Sequence, residues 1–273
     1  MIFTDLDGTL LDHLTYSFQP ALPSLKILKK RGIPLVFCTS KTRAETEKIR
    51  RQTENIHPFI VENGGAIFIP EDYFPQESER KIEFTQKGKK SAEYQIIELG
   101  TPYTHLREAL SQIQALYPGK IRGFGDLSAE EVARLCEFSL DDASLAKNRE
   151  YDEPFVLEEQ SLLDEIQDAA RHLDLQITKG GRFYHLKGEN NKGKATLCLI
   201  EIYRQKFSSI RSVALGDSLN DLPMLAAVDI PILLPKPDDR YDSSVKVHGL
   251  IFAENTGPTG WCDAVLKIIH GSI

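Results

Sequence analysis

Apolar residues along the first sixty positions come in two alternating styles. Met1–Leu6 and Ile33–Cys38 are short, nearly unbroken apolar runs, as strands buried on both faces require. Between them, Pro20–Arg31 places Leu22, Leu25, Ile27 and Leu28 at helical spacing, and Gly32 ends the pattern. Arg43–Gln52 reads as a charged helix and Phe59–Val61 as a short strand. Repeated strand–helix–strand units predict a parallel, doubly wound α/β sheet of Rossmann-like type.

The pattern breaks between Pro70 and Ser91, a charged, lysine-rich stretch interrupted by Pro75 and Gly88. Beyond it, helices are expected over 103–117, 128–137, 141–149 and 161–172. Shorter strands are expected at Tyr94–Leu99, Lys120–Phe124, Pro154–Leu157, Leu175–Thr178 and Phe183–Lys187, with no carboxylate at their ends. From Lys192 the first style returns: a helix to Phe207, a strand over 212–215, a helix over Leu219–Ala227, a strand at Ile230–Leu234 and a last helix over Thr259–Ile269. The expected organisation is a core formed by 1–82 and 189–273, interrupted by an inserted α/β cap at 83–188.

Two acidic segments follow predicted core strands: Phe3-Thr-Asp-Leu-Asp-Gly-Thr and Gly216-Asp-Ser-Leu-Asn-Asp. In a parallel sheet they bring Asp5, Asp7, Asp217 and Asp221 to one edge. Such a group repels itself unless a cation neutralises it. Either segment alone also reads as ordinary turn or helix-capping chemistry; together they point to magnesium-dependent phosphoryl transfer. Residues i and i+2 of a strand share a face, so Asp5 and Asp7 point the same way if the strand extends that far. Asp5 is then the nucleophile, already ionised at neutral pH, and Asp7 the acid and base that protonates the leaving alkoxide and activates water. Asp5, Asp217 and a carbonyl of Asp7 would hold Mg²⁺, with Asp221 binding directly or through water. Thr39, or alternatively Ser40, is placed to donate to a phosphoryl oxygen, unless it merely caps a helix. Lys192, at a helix start and followed by Gly193, is preferred over Lys194 as the cation that neutralises nucleophile and phosphate.

Composition narrows the setting. The 273 residues suffice for two units with buried cores, and 41% hydrophobic with 27% charged content is that of a soluble globular protein. A net charge of −7 without a basic run argues against nucleic acid, and no stretch is apolar enough for a bilayer. The chain enters a strand without a charged leader, so no secretory signal is expected. Cys38, Cys136, Cys198 and Cys262 are scattered and fit reduced thiols of a cytoplasmic protein.

The four motifs in this order resemble the haloacid dehalogenase superfamily of phosphohydrolases. Their carriers are Asp5-Leu-Asp-Gly-Thr, the threonine after the second strand, the lysine opening a helix, and Gly216-Asp-Ser-Leu-Asn-Asp. An insertion between the threonine and lysine motifs is similar to the branch with a large α/β cap (C2 type), whose members often act on sugar phosphates. Where many members have Thr-Gly-Arg, this chain has Thr39-Ser-Lys, which places Lys41 near the substrate. Within that branch, Cys38-Thr-Ser-Lys-Thr, Glu62-Asn-Gly-Gly-Ala, Glu98-Leu-Gly-Thr-Pro-Tyr, Arg149-Glu-Tyr-Asp-Glu-Pro-Phe, Gly180-Gly-Arg-Phe-Tyr-His-Leu and Gly257-Pro-Thr-Gly-Trp resemble the mannosyl-3-phosphoglycerate phosphatase family. The implied substrate is a small phosphorylated sugar-glycerate, of mannosyl or glucosyl type. Arg122, Arg149, Arg182 and His185 are the cap's candidates for its anionic glycerate, with the Gly180-Gly181 amides beside them. Glu62, Asn63 and Asp126 are candidates for the sugar, and Ser40, Lys41 and Asn220 complete the expected binding residues.

Overall fold

The computed structural model describes residues 1–74, 88–91, 93–180 and 182–272, with the side chains of 88–90 left aside. Thirteen strands are present among them: β1 (Ile2–Thr4), β2 (Leu35–Cys38), β3 (Phe59–Val61), β4 (Ala66–Pro70), β5 (Gly88–Lys90), β6 (Tyr94–Glu98), β7 (Ile121–Gly123), β8 (Glu153–Leu157), β9 (Gln176–Lys179), β10 (Tyr184–Lys187), β11 (Val213–Gly216), β12 (Ile230–Leu233) and β13 (Ile251–Phe252). The α-helices are α1 (Leu22–Arg31), α2 (Arg43–Thr53), α3 (Tyr103–Leu116), α4 (Ala129–Cys136), α5 (Leu140–Ala146), α6 (Leu163–Arg171), α7 (Lys192–Lys206), α8 (Leu222–Leu225) and α9 (Gly257–Ile269).

The main sheet runs β13-β12-β11-β1-β2-β3-β4-β6-β5. Its first six strands are parallel, and β4, β6 and β5 extend it antiparallel. Alternation along the parallel strands sends Ile2, Phe37 and Phe59 into one apolar layer with Trp261, and Phe3, Val36 and Ile60 into the other with Leu199 and Tyr203. Helices therefore cover both faces. Local signals set their ends. Gly32, left-handed at φ 62°, closes α1, and Thr42 with Glu45 forms a capping box on α2.

Chain order reverses direction beside β1: β2 and β3 lie on one side, β11 and β12 on the other. Open α/β sheets bind their ligands at the carboxyl ends of strands at such a switch point. Register pairs Thr4 with Leu215, and Asp5 N donates to Leu215 O at 2.9 Å, so the two acidic segments leave the sheet side by side.

A second, wholly antiparallel sheet, β7-β8-β10-β9, carries α3 and α6 on an apolar layer that includes Leu110, Ile113, Ile166 and Leu186. The short helices α4 and α5 enclose a separate small cluster around Val132 and Phe124. Expectation and structure part at three places. Tyr94–Glu98, expected in the inserted unit, pairs with β4 in the main sheet; β4, β13 and β5, the last also on the main sheet within the expected inserted unit, had no counterpart in the sequence reading; and the helix expected over Leu219–Ala227 is a 3₁₀ turn at Leu219–Asp221 followed by α8. The expected boundary at 82/83 falls outside the described residues. All four cysteines are free, and no described helix is long and apolar enough to cross a membrane.

Candidate active site

β1 stops at Thr4, so the alternation that would align Asp5 with Asp7 does not continue to Asp7. Asp5 stays with the sheet edge. Its carbonyl accepts from Thr4 Oγ1 at 2.7 Å, and that hydroxyl accepts from Trp261 Nε1 at 2.9 Å. Gly8 then turns at φ 76°, and a Cβ there would lie 2.9 Å from Asp217 Oδ2. Glycine is required twice over, for the turn and for the close approach of the second acidic segment.

Lys192 Nζ lies 2.5 Å from Asp5 Oδ1 and 2.6 Å from Asp221 Oδ1, and its side chain is fully enclosed. It is the first residue of α7, whose N-cap is Asn191. Gly193 explains the fit: a Cβ there would sit 2.3 Å from Pro223 O, so only glycine lets α7 approach the second acidic segment. Lys194, by contrast, is exposed beside Glu189. Burial works against the ammonium, but Asp221 and Asp5 outweigh it and keep Lys192 charged well above the usual lysine range.

Oxygens of Asp5, Asp217 and Asp221 all lie within 4.8 Å of one another. Burial and the neighbouring carboxylates push Asp5 upward despite Lys192. Asp217 is pushed up to about 7, by burial first and Asp221 second. Three carboxylates sharing one ammonium are thus under-neutralised, and a hard divalent cation with oxygen preference fits them. Asp221 is the most committed of the three: besides Lys192, it accepts Asp217 N at 3.0 Å and Ser218 N at 3.2 Å. Asp5 and Asp217 have the freer oxygens.

Asp7 turns elsewhere. Its Oδ2 is 2.9 Å from Lys41 Nζ, while Oδ1 is buried without a hydrogen-bond partner among the described residues. Lys41, itself nearly buried, also lies 3.7 Å from Glu45, and its ammonium faces the rings of Tyr16 and Phe138 at 5.1 and 5.8 Å. Thr39 is buried, with its hydroxyl accepting from Lys41 N at 3.1 Å. The cap of α2 is Thr42, so Thr39 is not engaged in capping and its hydroxyl proton remains available.

Among the remaining expected residues, several meet where the inserted segment touches the core. Glu62, Asn63 and Gly64 take left-handed φ of 47°, 55° and 84° in succession. Glu62 does not face a free space: its carboxylate accepts Glu150 N at 2.9 Å and Tyr151 N at 2.8 Å, tying the inserted chain to the core. Burial pushes it up to about 8 against the pull of Arg149 and those amides. Arg149 donates to Ser40 O at 2.9 Å. Asn63 Oδ1 accepts from Asn220 Nδ2 at 3.4 Å, and its Nδ2 donates to Asp152 at 3.3 Å; His185 Nδ1 is 2.8 Å from the same Asp152 oxygen. Arg182 donates to Cys136 O, at the end of α4. Arg122 and Asp126 are not brought to this place. Arg122 pairs with Glu158 at the surface, and Asp126 with Arg107, Gln114 and Gly123 N. Gly181 lies outside the described residues. Asp152, Tyr16, Phe138 and Glu45 were not anticipated; Asp152 and Glu153 stand at the head of the strand expected at Pro154–Leu157, contrary to the expectation that the inserted strands have no carboxylate at their ends.

A site of this kind, with paired aspartate segments and a buried lysine at the switch point of a doubly wound sheet, defines a class. The chain belongs to the haloacid dehalogenase-like hydrolases, whose family model matches residues 2–239. Within that family it is 50% identical over 270 residues, 98% of this chain and 97% of the relative, to the glucosyl-3-phosphoglycerate/mannosyl-3-phosphoglycerate phosphatase of Methanococcoides burtonii. It is 38% identical to the mannosyl-3-phosphoglycerate phosphatase of Pyrococcus furiosus, over 92% of this chain and 96% of that one. Among solved structures, the haloalkanoate superfamily phosphatase BT1666 from Bacteroides thetaiotaomicron superposes with a TM-score of 0.67 at 18% identity, covering 100% and 95% of the two chains, which concerns the fold.

Proposed function

We propose that the chain is a Mg²⁺-dependent phosphatase that hydrolyses mannosyl-3-phosphoglycerate, and its glucosyl counterpart, to the glycosylglycerate and phosphate. The observation that carries the reaction class is Lys192, enclosed between Asp5 and Asp221 beside Asp217. A nucleophile with a fixed counter-cation serves phosphoryl transfer and is superfluous in a mere binder. Both sugars are included because the relative at 50% identity is named for both.

In this reading a carboxylate oxygen of Asp5 attacks phosphorus and the ester P–O bond breaks. Asp7, protonated and swung from its contact with Lys41 toward the bound ester, gives its proton to the departing alkoxide. Asp7 then takes a proton from water, the water oxygen attacks phosphorus, and the Asp5–phosphorus bond breaks. Lys192 balances charge on Asp5 throughout, and Thr39 donates to a phosphoryl oxygen. Mg²⁺ held by Asp5 and Asp217, with Asp221 behind them, would supply charge stabilisation on the transferring group. Arg182 donates to the Cys136 carbonyl rather than to a carboxylate, which leaves its charge for an anionic substrate, whereas Arg149 donates to carbonyls but faces Glu45, Glu62, Asp152 and Glu153.

Phosphate release from mannosyl- and glucosyl-3-phosphoglycerate, set against hexose phosphates and repeated with chelator, tests this. The expected result is a preference for the two glycosyl-3-phosphoglycerates of about tenfold or more in kcat/KM, and loss of activity with chelator restored by Mg²⁺. Equal rates on hexose phosphates overturn the substrate, and activity unaffected by chelator overturns the metal.

A further inference from the structure

Asp152 is a fully buried carboxylate that stands outside the four superfamily motifs and to which the sequence reading assigns no role. It immediately precedes β8 in the second sheet, yet it stands one side chain away from two loops of the reaction centre. Oδ2 lies 2.8 Å from His185 Nδ1 and accepts from Asn63 Nδ2 at 3.3 Å. Asn63 in turn donates its backbone N–H to Thr39 O at 2.9 Å and accepts from Asn220 Nδ2 at 3.4 Å. The other oxygen, Oδ1, is buried with no hydrogen-bond partner among the described residues. Burial alone would raise its pKa, but His185, Arg149 and Lys187 outweigh burial and hold it below the usual carboxylate range. An ionised carboxylate only accepts, so His185 Nδ1 carries the proton.

The consequence lies at the far side of the ring. His185 Nε2 has no hydrogen-bond partner among the described residues, although the side chain is only 11% exposed. A Cβ at position 180 would lie 2.6 Å from that nitrogen, so Gly180 keeps it clear. A ring nitrogen that stays accessible while its fellow nitrogen is tied to a buried carboxylate suits a ligand.

We infer that Asp152 is a positioning residue for substrate recognition: it fixes His185 so that Nε2 meets a hydroxyl of the glycosylglycerate part of the substrate, and couples that ring through Asn63 to the loops of Thr39 and Asn220. A hydroxyl both donates and accepts, so it suits Nε2 in either protonation state. The inference rests on the substrate proposed above.

The test compares mannosyl-3-phosphoglycerate with p-nitrophenyl phosphate, which has no hydroxyl to offer, and reads the ratio of their kcat/KM values. Asp152→Asn keeps the shape and removes the charge. It lowers the ratio by roughly tenfold to a hundredfold, mainly through a higher KM for the sugar substrate. His185→Ala lowers it by a similar factor, and the double variant goes no lower than His185→Ala alone, because the aspartate acts through the ring. Should Asp152→Asn fail to fold, as thermal melting will report, His185→Ala decides alone, and an unchanged ratio overturns the inference. Parallel losses on both substrates, or additive effects of the two substitutions, overturn it too. A wild-type enzyme with no preference for the sugar substrate removes the substrate reading and this inference together; a wild-type preference that survives Asp152→Asn removes the inference only.

Discussion

The edge of the main sheet and the inserted sheet handle charge in opposite ways. At the edge, Asp5, Asp217 and Asp221 crowd around one ammonium, and the excess negative charge is left standing. In the inserted unit the carboxylates have partners: Asp126 and Glu153 share Arg107, Glu158 faces Arg122, and Asp152 faces the His185 ring. Unbalanced charge is unfavourable to a fold but useful to a reaction, since a cation and a phosphate can complete it. Matched charge leaves only shape and hydrogen bonds to read a substrate. The groups proposed for the chemistry therefore sit where carboxylates outnumber cations, and those proposed for discrimination where carboxylates have partners.

The strongest way to break this comparison is Asp5→Asn. Phosphate release should fall by roughly 10⁴-fold or more, because the amide is no nucleophile. The same change should raise the melting temperature without metal, since it takes one repelling carboxylate out of a buried group that holds too many. Retained turnover would disprove covalent catalysis at Asp5, and a lower melting temperature would show that the cluster is not under strain.

Lys192→Met makes the complementary test. Removing a fully enclosed ammonium leaves Asp5 and Asp221 facing each other unpaired. Breaking a buried pair in this way destabilises by about 3–5 kcal/mol, measurable by denaturant unfolding at neutral pH. Activity should fall by roughly a hundredfold or more even under conditions where the variant is folded. A stable variant would mean that the three carboxylates tolerate one another, and the contrast between the two sheets would collapse.

These two residues were legible in the sequence because each stands at a boundary that chemistry and backbone mark together. Asp5 follows an apolar run and precedes Gly8; Lys192 opens a helix and precedes Gly193. The choice of Lys192 over Lys194 rested on that glycine, whose physical reason is the 2.3 Å approach to Pro223 O. What stayed hidden depends on pairing across distance. Tyr94–Glu98 reads as a strand in either unit, and only its hydrogen bonds to Ala66–Pro70 decide between them. Asp7 follows strand alternation on paper, but β1 ends at Thr4 and the carboxylate turns to Lys41. Glu62 read as a sugar ligand, whereas its oxygens hold two backbone amides eighty-eight and eighty-nine positions away. Asp152 lies thirty-three positions from His185, and no local pattern links them.

The smallest expected effect bears on the matched side of the comparison. Arg122 was a candidate for the substrate's anion, yet its guanidinium faces Glu158 at 3.2 Å, with both side chains about half exposed, at 49% and 48%. A pair so open to water is screened, and holding two long side chains in one geometry offsets much of its attraction. Arg122→Ala should therefore change stability by no more than about 0.5 kcal/mol. It should leave KM for mannosyl-3-phosphoglycerate within about twofold, because no hydrogen bond or ion pair among the described residues joins Arg122 to the core. Arg149→Ala is the informative partner, since that guanidinium donates to Ser40 O, next to Thr39. If steady-state kinetics showed Arg122→Ala raising KM tenfold while Arg149→Ala did not, the substrate would be read from the outer face of the inserted sheet, and the division of labour drawn between the two sheets would have to be redrawn around that face.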